Sequence, residues 1–166
     1  MKPLLVLVLA AASLSALIRP HAAGAQERDL QKRLAGAKRI DCRFTALATG
    51  TWEGGSAHAA IKPVEIEAVF FDIDVDGGTA EAKSDFGNKF IVVRYSHGYL
   101  HFMQLSEAGP LRVTTVIAEE TPKGRFKAVQ SRHEYSAVAL PGYTSRPEMY
   151  VGDCAVESTT SVPPSR

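Results

Sequence analysis

From Cys42 onward, apolar and polar residues alternate with a period of two, and turn-forming residues break the alternation at short intervals. Alternation of this kind puts successive side chains on opposite faces of a strand, so it predicts half-buried antiparallel β structure. Eight segments carry it: Cys42 to Glu53, Val64 to Asp74, Thr79 to Ser84, Lys89 to Tyr95, Tyr99 to Ser106, Leu111 to Glu119, Arg125 to Ser136 and Met149 to Cys154. Between them stand Gly54-Gly55, Asp76-Gly77-Gly78, Ser96-His97-Gly98, Pro122-Lys123-Gly124 and Pro141-Gly142. Connections this short join antiparallel neighbours, because a parallel pair needs a crossover of about a dozen residues. The expected fold is all-β, an antiparallel up-and-down β-barrel of about eight strands preceded by one short helix, with a β-sandwich as the alternative.

Parity assigns faces. In the first strand Cys42, Phe44, Ala46, Ala48, Gly50 and Trp52 share one side, which predicts that the single tryptophan points inward. Both faces of the fifth strand carry apolar groups, so its inward side stays open. Ahead of Cys42 the period changes: Leu30, Leu34 and Ala37 recur at helical spacing within Glu27 to Ile40, with Gly36 as a weak point. That helix is expected to pack on a barrel mouth or sheet edge, or to bind a partner.

The chain opens with Lys2, then runs uncharged from Leu4 to Ile18 and reaches Ala23-Gly24-Ala25. This is the layout of a secretory signal peptide cleaved after Ala25, and the apolar run is short of the roughly 20 residues that a spanning helix needs. The expected organisation is a leader over 1–25, a helical segment over 26–41, a single β domain over 42–154 and a disordered Ser/Thr/Pro-rich tail over 155–166. The chain has 19 Lys+Arg and 18 Asp+Glu; Lys2 and Arg19 fall in the leader, which leaves 17 against 18. So even a balance offers no electrostatic footprint for nucleic acid or acidic lipid. A secreted or periplasmic location also sets the redox expectation: Cys42 and Cys154, 112 positions apart, should form a disulfide.

Gly50-Thr51-Trp52 on a first strand, in an exported chain with meander strands after it, resembles the Gly-x-Trp of the calycins, the lipocalin and avidin barrels. The resemblance covers three residues. It implies a structural role for both, with Gly50 allowing close backbone packing and Trp52 plugging one end of the barrel; it assigns no ligand contacts.

Candidate chemistry is sparse. Asp72, Asp74 and Asp76 before Gly77 look like the opening of a calcium loop, but Lys83 stands where the closing acid belongs. His97 and His101 would lie about 13 Å apart on a strand, too far to share a metal. No nucleophile elbow, phosphate loop, dinucleotide fingerprint or Cys-x-x-Cys occurs, so no catalytic residue, metal or cofactor is assigned. Ser131, His133 and Tyr135 share one face of a long strand and Arg132 and Glu134 the other. The segment Tyr143 to Tyr150 adds an aromatic and charged loop beside the predicted disulfide. Arg132, His133, Tyr143, Arg146 and Tyr150 are therefore the candidate ligand- or partner-binding residues. Two functions fit: an exported, non-enzymatic binding domain for a small apolar ligand, or a protein-interaction or inhibitor module acting on an envelope or extracellular protein. A hydrolase would require His133 to converge with an acid and a nucleophile.

Overall fold

The computed structural model describes residues 20–83, 89–105, 111–133 and 146–158. One helix, α1 (Pro20–Ala35), precedes strands β1 (Ala37–Glu53), β2 (Ser56–Asp74), β3 (Thr79–Ala82), β4 (Lys89–Ser96), β5 (Tyr99–Leu105), β6 (Leu111–Glu120), β7 (Phe126–His133) and β8 (Glu148–Ser158). Each strand pairs antiparallel with the next, and β8 pairs back onto β1, so the sheet closes into a ring in sequence order. Closure leaves no second sheet to stack against, which removes the sandwich alternative.

The helix stops at Ala35 rather than running to Ile40; the Gly36 amide makes the last helical bond, to the Lys32 carbonyl at 3.0 Å. Residues from Ala37 on join β1 instead, where Ile40 stands opposite Phe70 on one side and Val156 on the other. Buried Leu30 and Leu34 seal that end of the ring. The Arg33 guanidinium sits 5.1 Å from the Phe126 ring centroid and 2.8 Å from Glu120, and Tyr95 donates to the Gln31 carbonyl at 3.2 Å. This is the helix end. The β1–β2 hairpin marks the far end.

Cys42 and Cys154 face each other across the β1–β8 ladder and are bonded, with Cα atoms 3.9 Å apart. Around them the interior is packed with fully buried Phe44, Phe126, Ile40, Leu100, Val93 and Val116, and Phe70 stacks on Phe102 at 4.1 Å between centroids. In β5, Leu100 and Phe102 point inward, whereas Tyr99 and Leu105 face out.

One irregularity overturns the expectation for Trp52. Pairing of β1 with both β2 and β8 shifts between Phe44 and Ala46, a β-bulge that inserts one residue and reverses the parity of everything beyond it. Inward positions therefore run Ile40, Cys42, Phe44 and then Leu47, while Trp52 is 56% exposed. The structural role carried over to Gly50 fails with it: a Cβ there would meet only Pro147 Cβ, at an ordinary 3.9 Å. Trp52→Ala is accordingly expected to change the unfolding free energy by less than about 1 kcal/mol, read from urea melts, where a plug residue would cost about 3–5.

Two ends of strands also differ from expectation. β2 begins at Ser56 instead of Val64, since the left-handed pair Gly54 (φ 58°) and Gly55 (φ 85°) forms a two-residue hairpin turn that keeps 56–63 paired with β1. Pairing with β1 overrides the weak alternation of Ala57 to Pro63. β8 continues to Ser158, held by β1 over Ala155 to Ser158, so the tail expected from 155 loses its first four residues to the sheet.

Candidate functional site

The inward row next to the packed half of the ring reads Phe102, Thr114, Gln130, Tyr150, Leu47, each the cross-strand partner of the one before. The next row toward the far end reads Gln104, Arg112, Arg132, Glu148, Thr49. Strand parity alone thus turns a run of polar residues from four neighbouring strands and the end of β1 into the interior.

These groups satisfy one another. Thr114 Oγ1 donates to Gln130 Oε1 at 3.0 Å, and Tyr150 OH donates to Glu148 Oε2 at 2.6 Å. Arg132 Nη1 lies 3.7 Å from the same carboxylate oxygen, with the Glu148 side chain 2% exposed and that of Arg132 18%. A carboxylate this deep survives only with such partners, because an unpaired buried charge costs several kcal/mol. Arg112 stands directly opposite Arg132, a like-charge cross-strand pair that Glu148 partly offsets. Arg112 is exposed and makes no hydrogen bond or ion pair among the described residues.

Tyr150 feels this setting most. Burial, then the hydrogen bond to Glu148 and its negative charge, push its hydroxyl up to about 12, against a smaller downward pull from Arg132 and Arg112. The folded state therefore holds the proton more tightly than the unfolded chain, whose tyrosines ionise near 10. Stability from this group is complete below pH 10 and is lost as pH rises through 12, on the order of 2 kcal/mol. One of the five tyrosines is expected to ionise late in an absorbance titration, and Tyr150→Phe should abolish both that late step and its share of the alkaline loss. A phenol that resists ionisation stays a hydrogen-bond donor throughout the ordinary pH range.

Of the residues singled out from sequence, the structure brings Arg132 and Tyr150 together. His133 faces outward and is exposed, and Arg146 is exposed two residues ahead of Glu148. Tyr143 lies outside the described residues, as do Glu134 and Tyr135. The face that turns inward on β7 is Gln130 and Arg132, while Ser131 and His133 point out. Sequence reasoning missed Arg112, Thr114, Gln130 and Glu148; the signal was the shared parity of Arg112 with Thr114 and of Gln130 with Arg132, each continuing a buried face.

The remaining candidates resolve into local structure. Asp74 Oδ1 accepts from the Gly77 amide at 2.9 Å, fixing a turn. His101 Nδ1 bonds Thr115 Oγ1 at 3.0 Å, and His97 (φ 46°) sits in the β4–β5 turn 2.8 Å from Ser96 Oγ. Beside the disulfide, an open groove of about 730 Å³ runs along the outer wall between Asp41, Arg43, Glu67, Arg125 and Asp153. Four of its lining charges are held in ion pairs: Arg125 with Asp153, Asp41 with Arg39 and Arg43 with Glu65. No family model, curated protein or solved structure matches the chain.

Proposed function

We propose that the protein is an exported, non-enzymatic binding domain that takes a small amphipathic ligand at the far end of the ring. The ligand's polar head meets Arg112 and Arg132, above the packed layer of Val93, Phe102 and Leu47. The observation that carries this reading is Glu148, a buried carboxylate held by Tyr150 and Arg132 in a ring whose other half is apolar. A core needed only for stability is better filled with aliphatic side chains, and polar groups fixed on rigid strands are what a recognition site requires. The polar rows change the ligand expected from sequence: a purely apolar molecule would desolvate the Arg112 guanidinium without giving it a partner. Arg112 favours an anionic head. Export is supported by the leader pattern and by a bridged cysteine pair compatible with an oxidising compartment. The sequential eight-strand ring supports a calycin-like relation at the level of fold, which carries no function of its own.

Native mass spectrometry of protein purified from its own compartment tests the reading. A small-molecule adduct that leaves on unfolding, and whose occupancy falls in Arg112→Ala, is the expected result. A protein bound in stoichiometric amount, with no small molecule, would instead establish the interaction module.

A further inference from the structure

The first turn of α1 holds no acid, although its last turn holds Lys32 and Arg33, as suits the negative end of a helix macrodipole. Glu27 and Asp29 come further on, and they occupy the first turn only of a helix that begins at Gln26. Packing draws a similar boundary. Ala25 to Asp29 are exposed and burial starts at Leu30, so the turn before Leu30 is held by little besides its own helical bonds. Gln26 is among the exposed residues, and its side chain makes no hydrogen bond among the described residues. Its neighbours are engaged: Gln31 donates to Glu27 at 3.1 Å, and Arg28 to the Gly24 carbonyl at 2.9 Å.

We propose, resting on the export reading and its cleavage after Ala25, that Gln26 is a modification site: its new α-amine closes on its own side chain to form pyroglutamate. The α-amine nitrogen attacks Cδ of the side-chain amide and a five-membered lactam forms. The Cδ–Nε2 bond breaks, and that nitrogen leaves as ammonia with the proton that the amine gives up. No oxidant, cofactor or second substrate enters. An α-amine titrates near about 8, so part of it is the free base at neutral pH.

Two features of the fold favour the closed form. An α-ammonium at residue 26 sits on the positive end of the helix, beside the amides of Glu27, Arg28 and Asp29, which lose their carbonyl acceptors when the leader departs. The lactam is neutral and removes that repulsion. Closure also engages a single residue, so it displaces nothing in the anchored part, where Leu30 and Leu34 are buried and Tyr95 holds the Gln31 carbonyl. The block then protects the seal on the ring. An aminopeptidase starting from a free Gln26 has only four residues to remove before it reaches Leu30.

Intact-mass measurement of the full chain purified after export, with its N-terminal peptide sequenced by tandem mass spectrometry, tests this. The chain should begin at residue 26 and be lighter by one ammonia than the sequence from Gln26 with its disulfide closed. It should show a free α-amine, on Glu27, only after treatment with a pyroglutamyl peptidase. Gln26→Ala, cut at the same place, should keep its full mass and a free α-amine, with an unchanged thermal melt. A chain that begins at Gln26 with its full mass, and still reacts with an amine reagent after prolonged storage at neutral pH, would overturn the proposal and leave the export reading standing. An ammonia loss that persists in Gln26→Ala would also overturn it. A chain that begins elsewhere would overturn the cleavage after Ala25 and the modification together.

Discussion

Replacing Cys42 and Cys154 together by Ala is expected to lower the unfolding free energy by about 2–5 kcal/mol. The bridge spans 112 positions and joins the first strand to the last, so it closes nearly the whole β domain into one loop of the denatured chain. A loop that long loses about 4–5 kcal/mol of denatured-state entropy in the chain-entropy model. The native ring should survive the change. β1 and β8 remain hydrogen-bonded on both sides of the bridge, from Thr49 opposite Glu148 to Ala37 opposite Ser158. Urea melts should therefore show a lower midpoint with a steeper slope, as the released chain exposes more surface on unfolding. Using both substitutions avoids a lone thiol. An unchanged midpoint would mean that the seam is held by its ladder and inner packing alone.

Much of this architecture is legible in the sequence because antiparallel alternation is local. Each of the eight strands overlaps the segment that the period-two pattern marks, though β1, β2 and β8 run beyond it, and the Cys42–Cys154 pairing matches what an expected oxidising compartment and position suggest. What escaped is non-local. The bulge after Phe44 carries no composition signal, since Thr45 and Ala46 fit a regular strand, yet it sends Trp52 outside. Ser56 to Pro63 lacks alternation and becomes strand only because β1 supplies a partner. At the site, Arg132 and Tyr150 were recognisable as polar groups near the disulfide, but Arg112 and Glu148 become members only through register, which sets Arg112 beside Arg132 and Arg132 beside Glu148. A reading of single strands sees four scattered polar residues. The ring makes three of them one row and sets Tyr150 in the row beside it.

Gly152→Ala is expected to cost about 3 kcal/mol or more, through the same bulge that misdirected the sequence reading. Gly152 lies opposite Phe44 on β1 and Ala128 on β7, on the inward side of β8 between Tyr150 and Cys154. A Cβ at 152 would overlap the Arg43 carbonyl oxygen and come within 2.6 Å of the Phe44 Cα, both backbone atoms at the bulge. No side-chain rotation relieves a clash with backbone, so either the bulge moves or the seam beside the disulfide opens, and fully buried Phe44 shifts with it. The effect is steric alone, because Gly152 is not among the residues with positive φ. That supplies an internal control. Gly50, on β1 and equally free of positive φ, has room for a Cβ, so Gly50→Ala should be neutral or stabilise by up to about 1 kcal/mol through the denatured state. Urea melts of the two variants should thus differ in sign. A Gly152→Ala loss below about 0.5 kcal/mol would show that the bulge yields easily and does not fix the parity on which the polar rows depend.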